Sequence, residues 1–415
     1  MLPPEILDIV FVTLLESRDW DDFRPQYAYH ALLLVNHHWH NVAIRHLYHT
    51  IAANSHLKSQ NLLETLENHP DIAALVRGAR LGTLIFKRSQ DSAHIHAKII
   101  AKCPNVNKIW VTGCGGFFNT LMGGIKLGTK LEEILLSRSD SEEGSDDLVL
   151  CQSRNFVENL PRWPRLGHLS FYGPVLCDES DEFRLRSRLL DPHGWNTEDT
   201  FFDSESSTPS SPNQNLRQVR FMENAITFTE HGMLPNLTVL APCVEALSIH
   251  YRNWHAQLHA PYLKTSLGRW SSHLRELYLT SSGGYITSSM PPRRPSIDDV
   301  FLQLTALRIL DISSFFLLLH TLVRTTAPIE RLIFWDHLRT GDIICNELGQ
   351  YLENEDVLPS LRLLQTRRCN PPKDHPVRNI CRLRGVVFNP LTPTQTMGPI
   401  EEAMLDLTTR YPTLE

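Results

Sequence analysis

An α/β fold is expected, with a small N-terminal helical module followed by an elongated array of parallel strands backed by helices. Three observations predict it. One short apolar pattern recurs ten times from residue 76 onward, stretches between the copies carry helical periodicity, and the first fifty or so residues follow a helical period in place of the repeat.

The N-terminal segment opens with Pro3 and Pro4 where a helix can start, and Glu5 suits the positive end of its dipole. Ile6, Ile9, Val10 and Leu14 then fall on one helical face. A second helix is predicted from Trp39, Val42, Ala43, Ile44, His46 and Leu47, preceded by the apolar stretch from Ala31 to Val35. Helices this short cannot enclose a large core, so any apolar face left over is a recognition surface. The expected boundaries are 1–52 for this module, 53–75 for a connecting helix or linker, 76–390 for the repeat array and 391–415 for a C-terminal capping helix.

Each repeat reads as an apolar residue, two of any kind, an apolar residue, one of any kind and a further apolar residue. Val76/Ala79/Leu81 is the first copy, Leu274/Leu277/Leu279 the seventh and Leu361/Leu364/Thr366 the tenth. The copies are spaced by about 32 residues on average, near the period of strand-and-helix solenoids. The last two positions are two residues apart, so on a strand they point the same way, into a core. One short strand cannot bury that face alone, whereas stacked copies make one continuous core. Stretches such as Ser92 to Ala101 and Phe315 to Val323 return the chain as helices on the convex side.

Residues between the buried positions then line the concave face. Trp110, Tyr172, Tyr278 and Trp335, with Arg220, Arg331 and Arg367, are the docking candidates for a target protein, because aromatic and arginine side chains combine large contact area with a polar handle. The longest step between copies marks an insertion at 178–215, acidic and rich in Ser and Pro, expected to be disordered; Ser137 to Asp147 and Ser281 to Pro295 read as further polar loops.

The charge balance excludes some functions. A net charge of -6 is far from the basic excess a nucleic-acid binder needs. Much of it comes from loops, since 178–215 holds nine acids against three arginines. No apolar run approaches the ~20 residues that span a bilayer, and the N-terminus lacks a secretory pattern, so a cytoplasmic or nuclear protein with no membrane partner is expected. Eight scattered cysteines read as reduced thiols, not as a disulfide framework.

No enzyme chemistry is expected. His37, His38, His40, His46 and His49 cluster, and His255 and His259 stand four apart, but no acidic or cysteine partner completes a metal site. Gly123 to Lys130 lacks the Gly-Lys-Ser/Thr order of a phosphate loop. Neither a metal nor a cofactor nor a catalytic residue is assigned.

Two stretches carry a family resemblance. Leu2-Pro3-Pro4-Glu5-Ile6-Leu7-Asp8-Ile9-Val10 looks like the opening of the F-box, and Leu33-Leu34-Val35-Asn36-His37-His38-Trp39 like its second signature. The repeats over about 71–390 resemble the irregular leucine-rich repeats of fungal F-box proteins. The resemblance implies a leucine-rich-repeat-like solenoid, and a substrate receptor of an SCF-type cullin ubiquitin ligase that promotes ubiquitin-dependent, proteasomal degradation of a target. Carried over, Leu2, Pro3, Ile6, Leu7, Ile9, Val35 and Trp39 are the contacts for the ligase's small adaptor subunit, which joins the receptor to the cullin. A leucine-rich scaffold that binds protein without recruiting a ligase is the alternative.

Overall fold

A computed structural model describes residues 3–16, 32–82, 90–112, 118–137, 151–152, 159–172, 175–176, 212–222, 230–253, 256–283, 297–335, 341–367 and 371–390. Leu2, the body of the 178–215 insertion and the 391–415 capping helix lie outside them. The chain divides into two compact units, one built on residues 1–150 with 162–166 and the C-terminal 399–415, the other on 151–161 with 167–398.

The first unit begins with α1 (Pro4–Glu16) and α2 (His37–His49). Helix α2 runs straight into β1 (Thr50–Ala53), which is followed by α3 (His56–Asn68) and the single turn Pro70–Ala73. Strands β2 (Gly78–Leu81), β3 (Lys108–Val111) and β4 (Glu133–Ser137) continue the sheet in chain order, all parallel, separated by α4 (Gln90–Lys102) and α5 (Phe118–Ile125). The array thus starts earlier than residue 76. Ile51 pairs in register with Ala79, so β1, at the end of the expected 1–52 module, and α3, inside the 53–75 segment expected as a connecting helix or linker, form a first repeat.

The second unit carries eight parallel strands in chain order: β6 (His168–Tyr172), β8 (Gln218–Met222), β9 (Ala246–Asn253), β10 (Glu276–Gly283), β11 (Ile309–Ser313), β12 (Arg331–Trp335), β13 (Leu363–Thr366) and β14 (Val387–Phe388). A separate parallel pair joins β5 (Cys151–Gln152) to β7 (Val175–Leu176). The returning helices include α6 (Glu230–Leu240), α7 (Ala256–Trp270), α8 (Gly341–Leu352) and α9 (Pro376–Leu383). Parallel strands need such crossovers, which is why strand and helix alternate.

The repeat arithmetic holds at each of the ten copies. The three apolar positions of every copy are buried, and the last two occupy matching register positions on neighbouring strands. In the second unit one row runs Leu169, Val219, Leu247, Leu277, Leu310, Leu332 and Leu364, and the next opens with Phe171 and Phe221, stacked 5.5 Å apart. The residue just before each strand links neighbours through the backbone. Glu245 N–H donates to the Arg217 carbonyl at 2.7 Å and Arg275 N–H to the Glu245 carbonyl at 2.7 Å. Their side chains follow, with the Glu245 carboxylate 3.2 Å from Arg217 and 3.4 Å from Arg275. Such solvent-exposed pairs contribute at most ~1 kcal/mol each, so burial holds the array together.

Three local readings are corrected. Ser137 and Ser281, read as loop starts, are buried at strand ends, because the parallel ladder extends to them. Phe315 to Val323 forms only the single turn Leu319–Leu322; Phe316 and Leu317 are buried outside any helix. At the insertion's C-terminal end Asn213 is buried, its side chain accepting the N–H groups of Asn215 and Leu216 at 2.8 and 3.1 Å. As for the thiols, burial pushes Cys103 up to about 12 and Cys381 up to about 11, which leaves both protonated and poorly nucleophilic at neutral pH.

Two adjacent glycines in α5 show how closely the helices approach. A Cβ on Gly124 would stand 2.2 Å from the Ala97 carbonyl oxygen of α4, a backbone atom, whereas a Cβ on Gly123 meets nothing within 4 Å. Gly124→Ala is therefore expected to destabilise the chain by about 1–3 kcal/mol, and Gly123→Ala to leave it unchanged or stabilise it by up to ~1 kcal/mol. Urea unfolding of the two variants side by side checks this.

Candidate functional site

Two surfaces hold the residues singled out from the sequence. The first is the helical hairpin. Asn36 caps α2, its side-chain oxygen accepting the N–H groups of His38 and Trp39 at 2.9 and 3.0 Å. That cap fixes the start of α2, whose Val42 and Ala43 pack on Leu7 and Phe11 of α1. The Trp39 ring stands edge-on to Phe11 with centroids 5.8 Å apart, and Asp8 reaches His46 Nε2 at 2.8 Å.

Because α1 is apolar almost all round, its phase was not readable from spacing. Ile6, Ile9 and Val10, of the apolar face read from the spacing, are turned outward, and the pair at i and i+4, Leu7 and Phe11, is turned in. Ile6 is 43% exposed and Ile9 60%. Of the adaptor candidates, Pro3, Ile6, Ile9 and Val35 are exposed and Trp39 is half-buried. Leu7 is a correction, since it is fully buried against α2 and has no side chain to offer. Phe11, not singled out from the sequence, is the residue on which the hairpin closes; its i, i+4 spacing from Leu7 was the available signal.

The second surface is the strand face opposite the apolar rows. In the first unit the Trp110 indole N–H donates to Glu133 Oε1 at 3.1 Å, and Lys108 Nζ lies 3.8 Å from Glu133 Oε2. Trp110 is half-buried there. In the second unit one row runs Ser170, Arg220, Ser248, Tyr278, Asp311, Ile333 and Gln365. Tyr278 is half-buried, its hydroxyl donating to Glu276 Oε2 at 3.1 Å, and Arg331 Nε donates to Gln365 Oε1 at 3.1 Å. The Trp335 side chain lies outside the described residues.

Tyr172 and Arg220 are corrections to the expectation of solvent-facing side chains, being 4% and 9% exposed. Arg220 lies between Ser170 and Ser248 in register, small neighbours that leave room for a long side chain, and Tyr172 is paired in register with Met222. Arg367 is likewise turned inward: its Nη2 donates to Asp311 Oδ2 at 2.6 Å, with side-chain exposures of 11% and 4%. Burial pushes the Asp311 carboxyl above its ordinary value, while the Arg367 and Arg331 guanidiniums pull against that rise. Asp311 Oδ1 has no hydrogen-bond partner among the described residues. The centre of this face therefore carries internally paired polar groups, with Tyr278 and Arg331 among its half-buried members.

His37, His38, His40, His46 and His49 all lie on α2, and among the described residues no three His, Cys, Asp or Glu side chains gather in a group that could hold a metal. No helix among the described residues is long and apolar enough to cross a membrane. No protein-family model matches the chain, and no curated protein matches it.

Proposed function

We propose that the chain is the substrate-recognition subunit of an SCF-type cullin ubiquitin ligase, its N-terminal helices engaging the adaptor and its strand array holding a target protein. One observation carries this reading. Helix α1 packs Leu7 and Phe11 on α2 and still presents Ile6, Ile9 and Val10, at i, i+3 and i+4, to solvent. A stripe of that kind costs solubility unless another protein covers it. The adaptor contacts on this reading are Pro3, Ile6, Ile9 and Val35, with Trp39 acting from behind by fixing Phe11. The target contacts on this reading are Trp110 on the strand face of the first unit and Tyr278 and Arg331 on that of the second, with Trp335 a candidate whose side chain lies outside the described residues.

The test is co-expression with the adaptor subunit followed by pull-down of the full chain, a chain lacking residues 1–52, and Ile9→Glu. Ile9 is already exposed, so a glutamate there leaves the fold intact and sets a charge in the apolar contact. Adaptor retention by the full chain is expected, with complete loss on truncation. For Ile9→Glu the recovery falls at least ~10-fold, the equivalent of about 1.4 kcal/mol, at an unchanged melting temperature. A full chain that never retains the adaptor makes the protein a plain binding scaffold.

A further inference from the structure

The C-terminal end of the second unit carries a concentration of positive charge that neither the adaptor nor the target reading uses. Residues 362–384 hold seven Lys and Arg against one Asp, in a chain whose net charge is -6. Three of these cations are committed to the fold, Arg367 through its pairing with Asp311. Arg384 donates to the carbonyls of Leu352, Glu355, Val357 and Leu358 at 2.8–3.3 Å, which ties the end of α9 to the segment after α8. Arg378 donates twice to the Pro371 carbonyl, from Nε at 3.1 Å and Nη2 at 3.0 Å, and its guanidinium lies 5.1 Å over the Phe388 ring.

Lys373 and Arg382 differ. Both are exposed, and neither makes a side-chain hydrogen bond or ion pair among the described residues. Yet they line one cleft with Arg378, Val386 and Phe388, a cavity of about 420 Å3. Gathering three cations around one hollow is repulsive, and here no carboxylate among the lining residues offsets it. The wall is not uniformly polar either, since Val386 and Phe388 supply carbon surface beside the charges.

We infer that this cleft binds a small phosphate monoester. The dianion matches the two uncommitted cations, with Lys373 as a mobile point charge and Arg382 as a planar donor, while Arg378, pinned by Pro371 and stacked on Phe388, keeps a third charge in place without reorganisation. The organic part of the ligand rests on Val386 and Phe388. The volume falls in the ~300–1,000 Å3 range of small-molecule sites, which favours a metabolite-sized ligand over a long peptide. This assignment is independent of the adaptor reading.

Calorimetric titration of the full chain in phosphate-free, low-salt buffer tests it, with phenyl phosphate, inorganic phosphate and a phosphoserine peptide as probes. Saturable one-to-one binding of phenyl phosphate is expected, at least ~10-fold tighter than inorganic phosphate. In the Lys373→Gln/Arg382→Gln double variant it weakens at least ~10-fold while the melting temperature stays put, because neither side chain makes a hydrogen bond or ion pair among the described residues. No saturable heat, an unchanged affinity in the double variant, or equal affinities for phenyl phosphate and inorganic phosphate overturns the assignment. So does a phosphoserine peptide that binds ~10-fold more tightly than phenyl phosphate, which makes the cleft a protein-docking site.

Discussion

Trp270→Ala is expected to lower the unfolding free energy by about 3–5 kcal/mol, a large fraction of the ~5–15 kcal/mol that ordinary chains have. Trp270 ends α7, is fully buried, and its indole N–H donates to the Ala241 carbonyl just beyond α6 at 2.9 Å. Truncation removes a large apolar side chain whose space the surrounding helices and strands cannot refill, and it also leaves a buried carbonyl without that donor. Trp270→Phe separates the two effects. It keeps most of the ring and loses the donor, so about 1–3 kcal/mol is expected. The same device recurs in the first unit, where the Trp163 indole N–H donates to the Ile125 carbonyl at 3.2 Å. Denaturant titration followed by tryptophan fluorescence and circular dichroism measures both; a loss under 1 kcal/mol for Trp270→Ala would show that the site collapses around the gap.

Arg367→Met should cost a similar ~3–5 kcal/mol near neutral pH, and the cost should shrink in acid. The guanidinium is the partner of a buried carboxylate, Asp311, whose other oxygen already has no hydrogen bond among the described residues. Burial raises Asp311 above its ordinary 3.8, so just above that value the folded chain holds a proton that the unfolded chain has lost. Stability therefore falls as pH rises through that interval, and Arg367 limits its width by favouring the charged form. Removing the arginine widens the interval toward neutrality. The gap between variant and wild type should be small near pH 4 and full at pH 7.5. Equal gaps at both values would mean that Arg367 acts through packing of its stem and not through its charge. Asp311→Asn in the Arg367→Met background should recover part of the loss at pH 7.5, since a neutral amide no longer needs the missing cation.

The strand array was legible because it rests on a period. Leu169, Val219, Leu247 and the rest of that row are buried wherever the spacing places them, since a strand has only two faces and one of them must meet the helices. What period cannot supply is phase on a helix that is apolar on every side. Helix α1 offers Ile6, Leu7, Ile9, Val10, Phe11 and Val12, and only packing on the apolar face of α2 selects Leu7 and Phe11 for burial. The docking face was legible in position but not in exposure. Tyr172, Arg220 and Arg367 stand on the strand positions expected of them, yet Tyr172 and Arg220 are buried and Asp311 holds Arg367 from two strands away. Likewise the charge count over 362–384 was open to view, but which cations remain uncommitted depends on carbonyls brought close by folding.

The sequence by itself determined an α/β chain whose strands recur, which side of each strand is apolar, and that about fifty N-terminal residues follow a different rule. Only the tertiary structure decided that, among the described residues, the sheet begins at Thr50, that α1 turns Ile6, Ile9 and Val10 to solvent, and that Lys373 and Arg382 line one cleft without a side-chain partner. Burial along a strand follows from alternation between adjacent residues, a local property written in spacing. Exposure, pairing and charge neutralisation depend on which distant groups arrive beside a side chain, and that is settled when the chain folds.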